Sequence, residues 1–204
     1  MASPRLLALG DIHGCLRALT TLALHVPFRP ADTLVALGDY VNRGSNSAGV
    51  LDWFIAWNKQ NHLVPLLGNH DWMMLQRRAV DSEVPDAHWT FLESDCRPWY
   101  ESERHLFVHA GVDPALPMTE QDEQTLLWNK LEDRGPHVSG KRVICGHTSQ
   151  RSGKPLDLGH TVCIDTRVYA DGWLTCLDVA TNAFWQANEQ GATRSGTLAG
   201  GFAC

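Results

Sequence analysis

The sequence predicts an α/β fold, and three observations carry that reading. Short apolar runs recur at residues 6–9, 34–37, 63–67, 106–108 and 142–145. The first three are each followed by a turn and then by apolar residues at helical spacing, the rhythm of strand, turn and helix. Further runs at 161–164, 173–177 and 183–186 are separated by turn-forming residues and read as antiparallel strands.

Residues 6–9 end at Gly10-Asp11-Ile12-His13-Gly14, after which Leu16, Leu19, Leu22 and Val26 mark one face of a helix that stops before Pro27. Residues 34–37 end at Gly38-Asp39-Tyr40-Val41-Asn42-Arg43-Gly44. A helix from about Ser47 then carries Val50, Leu51, Phe54 and Ile55 on one face, with Asn46 or Ser45 as its cap. Trp53 and Trp57 on this helix are expected to pack rather than to bind. Residues 63–67 end at Gly68-Asn69-His70-Asp71, ahead of a third helix. Pro65 interrupts this run and cannot donate to a ladder, so the strand is short or lies at an edge. Residues 80–103 lose the pattern and read as short helices and loops that cover the site and set substrate choice, with Trp89, Phe91 and Trp99 either packed or lining a groove. The composition after Gln190 predicts one domain over residues 1–190 and a disordered tail over 191–204.

A chain of 204 residues buries about 70% of its unfolded surface, so neither a metal nor a disulfide is needed for folding. Seventeen basic against 23 acidic residues give a net charge of −6, without a Lys/Arg run that could follow a phosphate backbone, which argues against nucleic acid as a partner. Six scattered cysteines without a CxxC pair suit reduced thiols and a cytoplasmic location, and no run approaches membrane-spanning length.

Function is concentrated where the apolar runs end. Asp11 with His13, Asp39, Asn69 with His70, His109 and His147 all follow strand ends, where ligands of open α/β folds collect. Taken alone, any one such turn is equally an ordinary loop whose Asp or Asn satisfies backbone groups. Repetition favours a site. His25, His62, His88, His105, His137 and His160 lack this context and read as structural. Carboxylate, amide and imidazole without thiolate suit two divalent ions such as Mn²⁺, Fe²⁺ or Zn²⁺, and suit hydrolysis.

The ordered set GDIHG, GDYVNRG, GNHD, HAG and GHT, with Leu126-Leu127-Trp128 and Ile164-Asp165-Thr166, resembles the phosphoprotein phosphatase family of calcineurin-like metallophosphoesterases, and is most similar to its compact bacterial and phage members. The resemblance spans roughly residues 5–180. It implies a four-layer α/β/β/α sandwich and two divalent ions, Mn²⁺ first, with Fe or Zn as alternatives. It further implies that Asp11 and His13 hold one ion, that Asn69, His109 and His147 hold the other, and that Asp39 bridges them. Arg43 would clamp the phosphate in its planar fork, with Arg134 as the candidate second arginine, and His70 would protonate the leaving group.

One position departs from the family. The pattern GDxxDRG has its second acid replaced by Asn42, whose carbonyl oxygen can orient His70 but cannot stabilise an imidazolium. The sequence therefore supports a phosphatase for phosphomonoesters, of protein serine/threonine type, acting on a phosphorylated protein, peptide or small phosphoester. The alternative is a hydrolase of diadenosine tetraphosphate or another nucleotide phosphoanhydride, whose members also carry a neutral residue here. A third reading, from another class, is an impaired phosphate- or phosphopeptide-binding module.

Overall fold

The computed structural model describes residues 4–81 and 83–198. Strands β1 (Leu6–Leu9), β2 (Thr33–Ala36) and β3 (His62–Pro65) lie parallel, with Leu7 beside Leu34 and Leu34 beside Leu63. Helix α1 (Leu16–His25) makes the first crossover and α2 (Ser47–Asn58) the second. The Asn46 side chain caps α2 by accepting the Gly49 N–H at 2.8 Å, which satisfies one of the orphan donors of the first turn. Helix α3 (Asn69–Leu75) follows β3, and α4 (Asp86–Thr90) runs into one π turn at Phe91–Asp95.

The second half of the chain begins with β4 (Trp99–Glu101) and β5 (His105–Val108), followed by α5 (Glu123–Leu127), β6 (Arg142–Cys145), β7 (Leu156–Asp157) and β8 (Thr161–Cys163). It closes with β9 (Leu174–Asp178), β10 (Ala183–Ala187) and β11 (Thr193–Thr197). Two mixed sheets result, in the orders β11-β10-β9-β1-β2-β3 and β4-β5-β6-β8-β7.

Alternation along the strands decides what each face packs against. Ala8, Val35 and Leu37 point one way and meet Phe107, Ile144, Val162 and Ile164 of the other sheet. Leu7, Leu9, Leu34 and Ala36 point the other way, onto Leu19 and Leu22 of α1 and Val50, Leu51 and Phe54 of α2. On the far side, Leu106, Val108, Val143 and Cys145 pack on Leu126 of α5 and on Met118. The layers are therefore α/β/β/α, as the resemblance implies. Fully buried side chains of this kind contribute roughly 1.5–3 kcal/mol each.

Several local expectations stand. Pro65 lies on β3, an edge strand where its missing N–H costs no ladder bond. Trp53 and Trp57 stack at 4.8 Å and pack against the helix side of the core. Cys15, Cys96, Cys145, Cys163 and Cys176 are free thiols, while Cys204 lies outside the described residues. No helix among the described residues is long and apolar enough to cross a membrane.

Three expectations fail. The run at 161–164 becomes β8, which pairs parallel with β6 and antiparallel only with the two-residue β7. Residues 193–197 of the expected disordered tail form β11, hydrogen-bonded in register to β10 with Ala187 beside Thr193, while 199–204 lie outside the described residues. The described residues of 80–103 do not line the cleft. Phe91 and Leu92 are buried in the core against α2, and Trp89 is buried too, so this segment is drawn inward by its own apolar side chains.

Candidate active site

The carboxyl ends of β1, β2, β5 and β6 meet at one edge of the sandwich. His147 N–H reaches the Asp11 carboxylate at 3.0 Å, joining the loops after β6 and β1. His109 Nε2 lies 3.5 Å from Asp39, joining those after β5 and β2. The glycines of the motifs are what allow this closeness. A Cβ on Gly146 would sit 2.0 Å from Asp11 Oδ1, and one on Gly68 would sit 2.2 Å from the Asp39 nitrogen.

The loops are held in a left-handed backbone that side chains ordinarily avoid. His13, Asp39, Asn42, Arg43 and His147 have φ of 49°, 54°, 67°, 67° and 58°. Such residues persist only where the surroundings over-determine them, and they gather at functional sites. One organiser is Asp71, which is wholly buried. Its two oxygens accept the backbone N–H groups of Gly68, Asp39, Tyr40 and Val41 at 2.7–3.3 Å. The sequence shows Asp71 only as the last letter of a motif, and its role becomes visible in the fold.

Three imidazoles are turned the same way by backbone carbonyls. His13 Nδ1 donates to Val41 O at 3.1 Å, His109 Nδ1 to Leu37 O at 2.8 Å, and His147 Nε2 to Trp128 O at 3.1 Å. Each ring therefore keeps a lone pair on its other nitrogen. Those lone pairs converge on oxygens. His109 Nε2 and His147 Nδ1 each lie 3.0 Å from Asn69 Oδ1, and His13 Nε2 lies 3.3 Å from Asp39 Oδ2.

Facing acceptors repel unless a cation or a proton lies between them, and protons are disfavoured on these rings. Burial pushes the imidazoles of His13 and His147 down to about 3 and that of His109 down to about 4. Burial also raises Asp39 to about 7, reinforced by Asp165 and opposed by the His70 N–H and Arg43. Asp11 is raised by burial and then by Asp165 and Asp39. Buried carboxylates that repel one another, beside lone pairs aimed inward, form a donor set that fits divalent cations. Two groups of donors, His13-Asp39-His70 and Asp39-His109-His147, each have their ligand atoms within 4.8 Å, and Asp39 belongs to both.

His70 stands beside this cluster, its ring edge-on to that of His13 with centroids 4.8 Å apart. Its Nδ1 lies 3.2 Å from the Asn42 amide nitrogen and its Nε2 lies 3.2 Å from Arg43 Nη2. A neutral ring has one lone pair and cannot accept from both. Turning the Asn42 amide about its own axis puts Oδ1 on Nδ1–H and leaves Nε2 to accept from Arg43, which satisfies every group. Burial and then Arg43 push the His70 ring down to about 4.

The cleft over these residues has a volume of about 330 Å³. Of the residues expected there, His13, Asp39, Arg43, Asn69, His70 and His147 line it, His109 is buried within reach of Asn69, and Asp11 is buried beneath His147. Arg134 does not belong to it. That side chain is exposed, pairs with Glu132 and lines a separate hollow with His160. The cleft instead holds Lys130, Arg151, Arg167 and Tyr169, none of which the sequence singles out. Their only signal is nearness in the chain to the Trp128, His147 and Asp165 motifs.

A profile of the calcineurin-like phosphoesterases matches residues 4–175. The chain belongs to the calcineurin-like phosphoesterase family. Among relatives, a "Bis(5'-nucleosyl)-tetraphosphatase, symmetrical" of Acidovorax ebreus is 46% identical over 172 residues, 75% of this chain and 58% of that protein. The chain thus spans little more than half the length of that relative. A "Serine/threonine-protein phosphatase 1" of Salmonella typhimurium is 26% identical over 195 residues, covering 81% of this chain and 88% of the relative. A solved structure of a protein named as a candidate diadenosine tetraphosphatase superposes with a TM-score of 0.68 at 25% identity, covering 96% of this chain and 94% of the other.

Proposed function

We propose that this phosphoesterase hydrolyses a nucleotide phosphoanhydride, of the bis(5'-nucleosyl) tetraphosphate kind, with protein phosphatase activity as the second reading. The carrying observation is the neutral Asn42 beside His70. An imidazole pushed down to about 4, with an amide and a guanidinium as neighbours, is a poor proton donor near neutral pH. An alkoxide leaving group, as from phosphoserine, needs that proton. A phosphate leaving group does not, because its charge is already spread over several oxygens. The relatives named as symmetrical tetraphosphatases favour the same substrate class.

This order reverses the one that the sequence motifs alone support, where the phosphomonoester comes first. The Salmonella relative favours that second reading, since it matches over nearly its whole length.

In the proposed site, Asp11 and His13 would hold one divalent ion and Asn69, His109 and His147 another, with Asp39 available to both. The oxygen and imidazole donors suit Mn²⁺ first and Fe or Zn next. When bound, such a pair supplies Lewis-acid polarisation of a phosphoryl oxygen and acidifies water for in-line attack. The chain's own part is orientation. Carbonyls of Val41, Leu37 and Trp128 fix the tautomers of His13, His109 and His147. Arg43, exposed at the mouth of the cleft, grips phosphate oxygens in its planar fork and keeps the His70 ring in place.

The test is a comparison of kcat/KM on diadenosine tetraphosphate and on a phosphoserine peptide with Mn²⁺ present. The tetraphosphate is expected to be turned over at least about tenfold more efficiently, a difference of about 1.4 kcal/mol in transition-state binding. A faster phosphopeptide reaction would put the second reading first. Turnover of neither, with metal bound, would favour the impaired binding module.

A further inference from the structure

The cleft carries more positive charge than one phosphoryl group needs. In a chain of net charge −6, four cations, Arg43, Lys130, Arg151 and Arg167, line this single cleft. Asp39 is the one carboxylate among the lining residues, and it faces the histidines. Five arginines elsewhere are paired, Arg5 with Asp32, Arg77 with Asp81, Arg78 with Glu93, Arg134 with Glu132 and Arg142 with Asp157, whereas Arg17, Arg29, Arg97 and Arg194 stand apart from one another in the chain without an ion pair among the described residues. Among the described residues, neither Arg151 nor Arg167 has a carboxylate within ion-pair distance.

These cations are not on independent loops. Asp165, 1% exposed, ties them together. Its Oδ1 accepts the Arg167 N–H at 2.9 Å, its Oδ2 accepts the Ser149 hydroxyl at 2.6 Å, and its carbonyl accepts the Gln150 N–H at 2.8 Å. The Ser149 hydroxyl also lies 3.2 Å from the Tyr169 hydroxyl, and Arg43 stacks 4.4 Å above the Tyr169 ring. On the other side, Lys130 donates to His147 O at 3.2 Å and Leu131 N–H to the Thr148 hydroxyl at 2.8 Å. The loops bearing Arg151, Arg167 and Lys130 are therefore fixed to one another and to Arg43. Arg167 holds a left-handed φ of 63° in this frame.

The geometry points to a second anion subsite in which Arg151 and Arg167, helped by Lys130, hold the phosphates of a polyphosphate chain that lie beyond the one gripped at Arg43. The proposal rests on the phosphoanhydride reading and names what selects it, namely the number of consecutive phosphates rather than the nucleoside. Guanidinium groups suit this because their planar forks match phosphate oxygens two at a time. A monoester carries one phosphate and reaches only the Arg43 end.

The experiment compares inorganic orthophosphate with inorganic tripolyphosphate on the full, metal-loaded chain at buffered free Mn²⁺. Both are read as inhibitors of aryl phosphate turnover and as ligands in calorimetry. The variant combines Arg151→Ala with Arg167→Gly. Arg151 is exposed, and glycine accepts the backbone at 167 without strain, so the fold is expected to survive. Arg134→Ala, outside the cleft, controls for the loss of a surface charge. The parent protein is expected to bind tripolyphosphate at least about tenfold more tightly than orthophosphate. In the double variant that preference should fall by about tenfold, while orthophosphate binding stays within about threefold and Arg134→Ala keeps the parental ratio. An unchanged preference in the double variant, an equal loss for both anions, or no preference in the parent would each overturn the subsite. Failure of the parent to hydrolyse diadenosine tetraphosphate, together with collapse of the preference in the variant, would support the subsite and overturn the substrate reading alone.

Discussion

The Asp71 carboxylate takes the backbone N–H of Asp39 at 2.7 Å, across 32 positions of sequence. Three further N–H groups on the same two oxygens make it the hub of the loop that carries Asp39, Asn42 and Arg43. Burial and the neighbouring Asp39 push this carboxyl up, and the N–H groups of Gly68, Asp39 and Val41 pull against them. A hydrogen on either oxygen would face an amide hydrogen.

Asp71→Asn is therefore not a quiet change. Its NH₂ would oppose two backbone N–H groups in a fully buried site, leaving them unsatisfied at about 1–3 kcal/mol each. The expected result is a loss of about 2–6 kcal/mol and a fall in melting temperature of roughly 4–24 °C. Urea and thermal unfolding measure both. A shift under about 2 °C would mean that Asp71 is already protonated and that the amide replaces it in kind.

Asp39 is common to both donor groups, so its removal should affect both ions at once. Asp39→Asn is expected to lower bound divalent metal from two per chain to one or fewer, and to cut aryl phosphate turnover at least about a thousandfold. Metal analysis of protein purified without chelator reads the first, and steady-state rates read the second. Adding chelator to the parent should lower its melting temperature, because an ion present at a hundred times its Kd contributes about 2.7 kcal/mol to the folded state. An unchanged melting temperature would argue that these histidines and carboxylates hold no ion.

Residue type and repetition made the metal-competent set legible. Asp11, His13, Asp39, Asn69, His109 and His147 each sit at the end of an apolar run, and the glycines beside them report the close packing that Asp11 and Asp39 require. Other features depend on partners far away in the chain. Arg134 is named by the family pattern, yet its exposed side chain pairs with Glu132 outside the cleft. The loops of Arg151 and Arg167 are brought to the cleft by hydrogen bonds from Ser149, Gln150 and the Arg167 backbone N–H to Asp165, which no periodicity encodes. Strand β11 escaped because its inward positions are polar or empty. Arg194 lies 4.1 Å from the Trp173 ring and donates to Gln186 Oε1, while Gly196 leaves room for the Phe184 ring.

His105 offers a cleaner view of acid sensitivity than the cleft does. In the cleft, lowered histidines and raised carboxylates shift stability in opposite directions as pH changes. His105 lies outside it, where burial and then Arg142 and Arg104 push its ring from 6.5 to about 4. The unfolded chain binds the proton more readily, so this group's stabilisation is complete above pH 6.5 and is lost as pH falls towards 4. The loss is at most about 1.4 kcal/mol per pH unit. Urea midpoints at pH 7.5, 6, 5 and 4.5 should show the parent losing stability relative to His105→Gln across that window. Parallel curves would mean that the ring titrates normally.

Asn42→Asp addresses the substrate question directly. A carboxylate within reach of His70 Nδ1 favours the imidazolium, so the ring's pKa should rise from about 4. A ring that holds its proton near neutral pH can pass it to an alkoxide, an effect typically worth about 10²–10⁴ in rate. Hydrolysis of an alkyl phosphate is expected to rise at least about tenfold, with a new fall in rate on the alkaline side of the raised pKa where the acid form is lost. Diadenosine tetraphosphate should change by less than about threefold, because its leaving phosphate needs no proton. The pH–rate profiles of the parent and Asn42→Asp on the two substrates separate the causes. A tetraphosphate rate that rises together with the alkyl rate would mean that proton donation limits both reactions, and that Asn42 does not select the leaving group.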